Sequence, residues 1–531
     1  MSIAGAVISS GRPVPKTAVK EDLHVSFYPV FSPRTHSLLS IGSESLEAAS
    51  VQSHGSPVEI DEYLVEAVFD ELKGSCDEFE SIIVVKDLEG SGLENMRDAI
   101  TTFNKNLVKL SKKESKLDNT LDISLLPGFH PILTPTPGVK SLKIESSWQT
   151  HTSMAIEKAT QQAVRPLVAV VCGAKDMGKS SYSRYLINRL LAKYSRVAYL
   201  EADVGQSEFT PSGLLSLHYI SNPILGPPYT HQQLEPERSF YFGSASPRSN
   251  PDYYLACINE LVDHWEHDQE QVQDEDQHQW IPLVVNTQGW VSGVGYDLLI
   301  SQIHKVEPTD VFAMRHYMLQ YKNLHPTFDI DILPTPNANV FAVAKEAPVL
   351  HYLGCVLQDP NVVTLADSFT STQQRDIAFG SYFHQAGMGE DNYLLPRWDY
   401  KAHLIDRVPW MVDWRQGLNA IWVIHEEVKP NELLYALNGS LVAIVRSIDP
   451  SRHALLLLTP LPFNTLEKVS SLVKGEIQLP LWAMLDQKLE KGSGVANIPW
   501  KKVPYITQQS TEGAGANALR VRRNLLRRTQ V

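Results

Sequence analysis

The fold is decided by the stretch Pro166-Leu-Val-Ala-Val-Val-Cys-Gly-Ala-Lys-Asp-Met-Gly-Lys-Ser180. Its second half matches G-x-x-x-x-G-K-[ST], the pattern of a phosphate-binding loop (P-loop). A short apolar, β-branched run precedes the loop, and apolar residues follow it at helical spacing: Tyr182, Tyr185, Leu186 and Leu190. The stretch therefore predicts the strand, loop and helix that a P-loop requires. The alternative is a glycine-rich turn with a surface lysine.

The residue types of the loop explain how it would bind phosphate. Gly173 and Gly178 permit backbone angles that turn successive N–H groups toward one anion, and the following helix N-terminus adds partial positive charge. Lys179 is placed for the β- and γ-phosphates, and the Ser180 hydroxyl for Mg²⁺. The predicted nucleotide-binding residues are Gly173, Ala174, Lys175, Asp176, Met177, Gly178, Lys179, Ser180 and Ser181.

Composition limits the classes of protein that fit this chain. Its 531 residues correspond to about two to four domains. The sequence has no apolar run of the ~18–20 residues that a membrane span needs, and its N-terminus does not resemble a secretory signal, so we expect no membrane partner. The net charge of −13 argues against a broadly basic nucleic-acid surface but leaves room for a local basic groove. The widely spaced cysteines (Cys76, Cys172, Cys257, Cys355) predict reduced thiols rather than disulfides or a zinc site.

Pattern changes along the chain predict an α/β fold: a P-loop NTPase parallel-sheet domain flanked by smaller N-terminal and C-terminal β-rich domains. The predicted segments are a disordered start (1–20), an N-terminal β-rich domain (21–140), the P-loop domain (141–388), a C-terminal domain (389–510) and a basic tail (511–531). The acidic stretch at residues 263–278 predicts a solvated, mobile insertion, with a His/Asp metal site as the alternative.

Two further strand ends carry candidate site residues. Asp203 follows an apolar strand, and ligands of open α/β sheets bind beyond the carboxyl ends of strands, so its carboxylate is a candidate metal ligand or proton acceptor. Glu201 is either a second site carboxylate or a strand residue with a polar neighbour. A third strand runs into Thr287-Gln-Gly-Trp290, where Thr287 can bond a phosphate or a sugar. Trp290 either stacks on a base or packs in the core.

These motifs together resemble those of polynucleotide 5′-hydroxyl kinases, the RNA kinases related to the messenger-RNA cleavage-factor subunit. The resemblance rests on the P-loop, on Leu-x-x-Asp203-Val-Gly-Gln-Ser-Glu-Phe and on Asn-Thr287-x-Gly-Trp290. Residues 222–231, residues 241–247 and the arginine-rich ending resemble the nucleolar branch that acts in pre-ribosomal RNA processing. The resemblance covers about residues 140–530 and is weak before residue 130.

The resemblance implies transfer of the ATP γ-phosphate to RNA 5′-hydroxyl ends, with ATP and Mg²⁺, in processing of the second internal transcribed spacer in the nucleolus of the nucleus. It implies Lys179 and Asp203 as catalytic residues, Ser180 and Asp203 as the Mg²⁺ site, and an RNA-binding set of Gln206, Thr287, Gly289 and Trp290. It also implies a HEPN-type endoribonuclease as partner, engaged by Arg520, Arg522, Arg523, Arg527 and Arg528. The alternative for this tail is a nuclear-localisation or general RNA-binding patch.

One catalytic element departs from the family pattern. The related kinases use a lid with two arginines to neutralise the transferring phosphoryl group, whereas the comparable predicted helix here, residues 371–384, clearly offers only Arg375. Lys175 in the P-loop is our candidate for the second positive charge. Two other functions stay open: an ATP-binding scaffold that stabilises a nuclease complex with little kinase turnover, and a P-loop ATPase that remodels its target.

Overall fold

A computed structural model describes the P-loop region almost continuously and the flanking regions in part. It describes residues 5–9, 27–33, 36–39, 85–88, 132, 141–162, 165–232, 234–273, 280–320, 323–329, 333, 347–355, 369–385, 402–405, 421–424, 435–436, 442–449, 454–458, 471–473 and 475–477. The predicted domain boundaries at 140, 388 and 510, Cys76 and the arginine-rich tail lie outside these residues.

The described residues form five α-helices and sixteen strands. The helices are α1 (Ser146–Gln162), α2 (Lys179–Leu190), α3 (Pro251–Gln273), α4 (Val294–Val306) and α5 (Ser371–Gln385). The strands are β1 (Gly5–Ser9), β2 (Phe27–Val30), β3 (Val85–Leu88), β4 (Val168–Cys172), β5 (Val197–Glu201), β6 (Leu214–Ile220), β7 (Arg238–Tyr241), β8 (Leu283–Asn286), β9 (Asp310–Arg315), β10 (Val349–Gly354), β11 (Ala402–Ile405), β12 (Ile421–Ile424), β13 (Tyr435–Ala436), β14 (Val442–Asp449), β15 (Ala454–Leu458) and β16 (Ser471–Val473).

The centre of the fold is a parallel sheet in the order β10-β9-β4-β8-β5. The strand before the P-loop, β4, is its middle strand and is buried along its whole length. Val168, Val170 and Cys172 point into the core that α3 and α4 cover, whereas Ala169 and Val171 point into the core under α1 and α2. Because side chains alternate along a strand, a continuous apolar run such as this one is the pattern of a strand covered on both faces. This confirms the predicted parallel-sheet P-loop fold.

Antiparallel strands extend this sheet beyond β5. Strand β6 pairs with β5 and β7 pairs with β6, and β13 then joins the C-terminal strands to β7. The resulting sheet has 13 strands. Strands β12, β14 and β15 contain the apolar runs that predict strands in the C-terminal region. They share hydrogen bonds with the P-loop sheet through β13, so the two regions are connected by backbone pairing as well as by the chain.

The structure differs from the sequence-based expectation at two places. Strand β1 lies within the stretch predicted to be disordered and pairs with both β2 and β3, because its Ala-Val-Ile run suits a strand. The acidic stretch from residue 263 to 273 belongs to α3 rather than to a mobile insertion. Its apolar and amide groups explain this: Trp265 and Gln269 are buried against the sheet while the acidic side chains lie on the outer face. Residues 274–279 lie outside the described part.

Within the described residues, no helix is long and apolar enough to cross a membrane. Cys172, Cys257 and Cys355 are all buried. In the same part of the chain, no group of three or more His, Cys, Asp or Glu side chains is arranged to hold a metal ion.

Candidate functional site

The P-loop adopts the strained backbone that its glycines predict. Gly173 has φ 143° and Gly178 has φ 96°, and Asp176 between them also has a positive φ of 62°. Gly178 is the N-cap of α2, so the loop leads directly into the positive end of that helix. The Lys179 ammonium folds back over the loop and donates to the Ala174 carbonyl at 3.1 Å. The Lys179 ammonium therefore lies over the loop at the N-terminus of α2, the arrangement typical of anion-binding loops.

Lys179 is a buried cation near the carboxylates of Asp203, Asp176 and Glu201. Burial lowers the pKa of its ammonium, and the neighbouring Asp203 is the first of several groups that oppose this shift. The Cys172 thiol, just before the loop, stays protonated at neutral pH because burial raises its pKa to about 12. The positive charge of Lys179 is thus directed toward the loop and toward Asp203, where a phosphate chain would add further negative charge.

The carboxyl ends of β5 and β8 bring the predicted acid residues to the P-loop. Glu201 and Asn286 are partners in the parallel register, and both are fully buried. The Asn286 amide donates to Ser180 Oγ at 3.3 Å and to Glu201 Oε1 at 3.2 Å. Glu201 also accepts the backbone N–H of Asp203 at 2.9 Å. A hydrogen-bond chain therefore connects the P-loop serine to the acidic turn after β5.

Glu201 is held by four donors in all. Beyond Asn286 and the Asp203 N–H, its Oε2 accepts the Tyr199 hydroxyl at 2.9 Å and the Glu208 N–H at 3.0 Å. Burial and the nearby Asp203 raise the pKa of this carboxyl, while the backbone and Tyr199 bonds lower it. Of the two interpretations of Glu201, the geometry favours a site residue that orders the turn carrying Asp203.

Asp203 and Gln206 lie on a tight turn that faces α5. Asp203 Oδ1 accepts the N–H groups of Gly205 at 3.0 Å and Gln206 at 3.2 Å, which orients the carboxylate. The Gln206 amide donates to Gln374 Oε1 on α5 at 2.8 Å. Arg375, the next residue of α5, donates to Thr372 at 3.0 Å. The structure therefore brings the acidic turn into direct contact with the helix that carries Arg375.

The residues 287–290 form a loop, here called the clasp loop, that packs directly on the P-loop. The Lys175 N–H donates to the Gly289 carbonyl at 3.2 Å. A Cβ at Gly289 would stand 2.9 Å from the Lys175 backbone, so only glycine allows this approach. Thr287 is fully buried, and its hydroxyl donates to the Val171 carbonyl at 2.9 Å. Thr287 thereby fastens the start of the clasp loop to β4.

Trp290 lies at the partly exposed end of the clasp loop. The Arg248 guanidinium stands over its indole ring, 4.7 Å from the ring centroid. A Cβ on Gly295, in the first turn of α4, would stand only 2.4 Å from two indole carbons. Trp290 is thus a partly buried ring with an exposed arginine beside it, a combination that suits both a packing role and contact with a base or phosphate.

Two residues of this site are absent from the sequence-based set. Asn286 bridges Ser180 and Glu201, and Gln374 accepts a hydrogen bond from Gln206. Asn286 could have been found from the sequence, because it ends a predicted strand in the same way as Asp203 follows one. Gln374 could not, since its role depends on how α5 packs. The five tail arginines lie outside the described residues.

Comparison with known proteins assigns the chain to a family. The profile of the family described as mRNA cleavage and polyadenylation factor CLP1 P-loop matches residues 173–348. The polynucleotide 5′-hydroxyl-kinase NOL9 of Arabidopsis thaliana is 31% identical over 351 residues, which cover 62% of this chain and 90% of that protein. This chain belongs to the NOL9 polynucleotide 5′-hydroxyl-kinase family.

Other members of the family are longer. The polynucleotide 5′-hydroxyl-kinase GRC3 of Cryptococcus neoformans var. neoformans serotype D (strain B-3501A) is 28% identical over 464 residues, covering 76% of this chain and 62% of that protein. The chain thus spans under two thirds of that relative's length. Among solved structures, a complex of wild-type Clp1p with Pcf11p matches with a TM-score of 0.44 and 16% identity, over 62% of this chain and 79% of the solved one.

Proposed function

We propose that this chain is an ATP- and Mg²⁺-dependent polynucleotide 5′-hydroxyl kinase. One observation carries the proposal: the hydrogen-bond chain from Ser180 through Asn286 and Glu201 to the turn of Asp203. It joins a phosphate-binding loop to a carboxylate placed to accept a proton, which is the pair of functions that phosphoryl transfer to a hydroxyl needs. Membership of a family whose members are named for this activity supports it.

The residues present fit a divalent cation bound with the nucleotide. Ser180 Oγ, the Asp203 carboxylate and the neighbouring Asn286 are oxygen donors of the type that Mg²⁺ prefers, and Asn286 Oδ1 is buried with no hydrogen-bond partner among the described residues. Ser180 and Asp203 would hold the cation directly or through water. When bound, the cation neutralises charge on the β- and γ-phosphates.

The chain's own residues then account for the transfer. The P-loop N–H groups other than that of Lys175, together with the Lys179 ammonium, hold the phosphates in line with the acceptor. Asp203 takes the proton of the RNA 5′-hydroxyl as the new bond between that oxygen and the γ-phosphorus forms. The bond from the γ-phosphorus to the β,γ-bridging oxygen breaks, and ADP leaves. Arg375 and Lys175 stabilise the negative charge on the transferring group.

We assign the RNA end to the groove between the acidic turn and the clasp loop. Gln206 and Trp290 would contact the terminal nucleotide, since both side chains are partly exposed. Thr287 and Gly289 act by fixing the clasp loop on β4 and on the P-loop, because their own contacts are made there. A substrate with its 5′-hydroxyl at Asp203 would then have its first base near Trp290.

The cellular setting is a further part of the proposal. The segments at residues 222–231 and 241–247 resemble the nucleolar branch, so we place the activity in the nucleolus, on pre-ribosomal RNA cut within its second internal transcribed spacer. A HEPN-type endoribonuclease that leaves 5′-hydroxyl ends would supply this substrate. The arginine-rich tail is the segment we assign to that partner.

The first experiment measures phosphate transfer from γ-labelled ATP to a short RNA with a 5′-hydroxyl, with and without Mg²⁺. We expect Lys179→Ala and Asp203→Asn to abolish transfer, with Asp203→Asn still binding ATP, because each removes one half of the proposed chemistry. Lys193→Ala, an exposed lysine beyond α2, is the matched control and should behave as the unmodified protein.

Each rival function has its own result in this assay. Tight ATP binding without transfer, also when the nuclease is present, would point to the ATP-binding scaffold. ATP hydrolysis that does not depend on RNA, and that Asp203→Asn preserves, would point to a remodelling ATPase.

A further inference from the structure

A short turn after β9 presents two large side chains to solvent. Tyr317 is 67% exposed and its neighbour Met318 is 78% exposed. Single exposed apolar residues are common and need no explanation. Two consecutive ones at the carboxyl edge of the sheet, where ligands of α/β folds bind, call for one.

Side-chain hydrogen bonds hold the backbone of this turn in place. The His316 ring accepts the backbone N–H groups of Met318 at 3.1 Å and Leu319 at 3.0 Å through Nδ1. The Asn323 side chain accepts the His316 N–H at 2.7 Å and donates to the His316 carbonyl at 3.3 Å. Four hydrogen bonds from two side chains therefore fix a turn whose own tip is exposed. A turn whose backbone is fixed in advance loses less entropy when it binds.

The turn is linked to both ends of the P-loop. Met314, three residues before Tyr317, touches the first P-loop glycine: a Cβ on Gly173 would stand 2.8 Å from the Met314 Cβ. The Tyr317 hydroxyl lies 2.9 Å from the position of a Cβ on Gly354, at the end of β10. The indole N–H of Trp148 donates to the Gly354 carbonyl at 2.9 Å. The same indole ring lies against the last P-loop glycine, 3.6 Å from the place of its Cβ.

The order of the strands indicates which of the two substrates would lie near Tyr317 and Met318. The acceptor groups, Asp203 and the clasp loop, follow β5 and β8 on one side of the central strand β4. Tyr317 and Gly354 follow or end β9 and β10 on the other side. Neighbouring strands are about 4.8 Å apart, so β10 lies roughly 10 Å from the strand that carries the P-loop. A nucleotide whose phosphates occupy the P-loop would therefore reach the β9–β10 side with its base if it extends away from the RNA site.

We propose that Tyr317 and Met318 form the platform on which the base of the phosphate-donor nucleotide, the adenine of ATP, stacks. The proposal rests on the proposed function for the identity of the nucleotide. The Tyr317 ring offers a flat face to the purine, and the Met318 thioether makes favourable contacts with aromatic rings. Stacking of a base on one aromatic side chain corresponds to roughly a 5- to 100-fold change in affinity.

The test compares ATP with inorganic tripolyphosphate, which has the phosphates without the base. Binding of each is measured by calorimetry on the full chain with Mg²⁺, without RNA. We expect Tyr317→Ala to weaken ATP binding about 5- to 100-fold and to leave tripolyphosphate binding unchanged, because the platform touches only the base. Tyr317→Phe retains the ring and should bind ATP as the unmodified protein does. Met318→Ala should also weaken ATP binding and leave tripolyphosphate binding unchanged, and Met154→Ala, at an exposed methionine on α1, is its control.

Three results would overturn the inference. The first is that Tyr317→Ala binds ATP with unchanged affinity. The second is that it loses affinity for ATP and for tripolyphosphate equally, which would mean that the turn only supports the P-loop. The third is that its ATP affinity is unchanged while its KM for RNA rises, which would assign the ring to RNA binding. Failure of the unmodified chain to bind either ligand would instead overturn the proposed function and the platform with it.

Discussion

At the scale of single residues, Lys175 shows how a backbone contact and a side chain can serve different purposes. Its N–H is bonded to the Gly289 carbonyl, so the backbone of the P-loop is attached to the clasp loop whatever the side chain is. The side chain itself is exposed at the mouth of the loop. A substitution at this position can therefore remove the charge while leaving the loop in place.

We expect Lys175→Ala to lower kcat by about 10²-fold with little change in ATP affinity, which is the loss seen when one stabilising donor is removed from a transition state. Single-turnover transfer and ATP binding, measured separately, check this. Lys175→Arg keeps the charge and should retain most of the activity. Equal losses of kcat and ATP affinity would show that Lys175 acts in ground-state binding and supplies no second lid charge.

A second residue-scale property is the pH dependence of stability that His218 contributes. His218 is fully buried on β6 beside the Ser216 hydroxyl, 3.0 Å away, and burial lowers its pKa to about 3. The unfolded chain binds this proton near pH 6.5 and the folded chain does not. The stability that neutral His218 contributes is therefore complete above pH 6.5 and is lost as the pH falls toward 3.

Substitution of His218 by Asn removes this titration and keeps a partner for Ser216. We expect the stability gap between the unmodified chain and His218→Asn to move by about 2 kcal/mol in favour of the variant between pH 7.5 and pH 5. Urea unfolding at the two pH values measures it. A gap that stays constant would show that His218 titrates alike in the folded and unfolded chains.

At the scale of elements, helix α5 is defined by its cap and by one contact with the site. Thr370 and Gln373 form a reciprocal capping box, in which each side chain accepts the other's backbone N–H, at 3.3 Å and 2.8 Å. The cap explains why the helix begins at Ser371. One turn later, Gln374 accepts from Gln206 and so determines how the helix faces the acidic turn.

We expect Gln374→Ala to lower kcat/KM for transfer by about 2- to 13-fold, the range for one neutral hydrogen bond, while ATP affinity stays unchanged. The reason is that Arg375 would spend less time at the phosphoryl group once the neighbouring contact is lost. Steady-state kinetics at saturating ATP measure the effect. Gln161→Ala, at an exposed position in the last turn of α1, is the control. Unchanged kinetics in Gln374→Ala would mean that the contact does not position the helix.

At the scale of the whole molecule, charge is unevenly distributed along the chain. The net charge is −13, yet Arg520, Arg522, Arg523, Arg527 and Arg528 fall within nine residues. An arginine-rich segment on an acidic protein favours an acidic surface of a partner, and arginine is the residue type enriched at protein interfaces. This arrangement supports a docking role for the tail that is separate from catalysis.

Reversal of these five arginines to glutamate tests that role. We expect the variant to lose most co-purification with a co-expressed HEPN-type nuclease at about physiological salt, because like charges then meet across the interface. Transfer to a short RNA by the isolated chain should not change. A variant that retains the nuclease but binds RNA more weakly would support the alternative of an RNA-binding patch.

The sequence alone determined the parts of this protein that depend on local patterns. The P-loop, its flanking strand and helix and the apolar strands of the C-terminal region follow from residue spacing, and all are present in the structure. Local pattern failed for α3, where the acidic composition suggested a mobile insertion. There the burial of Trp265 and Gln269 stabilises the helix, and composition does not show which face of a segment meets the sheet.

Only the tertiary structure decided which distant residues meet. Asn286 bridges Ser180 and Glu201 because β8 lies between β4 and β5. No local sequence pattern predicts this strand order. The contacts of Gly289 with Lys175 and of Gln374 with Gln206 likewise join segments over a hundred residues apart. Spacing along a chain specifies helices, strands and loops, since these rest on interactions between near neighbours. A site at the edge of a sheet depends on strand order and helix packing, which are set by the burial of the whole core.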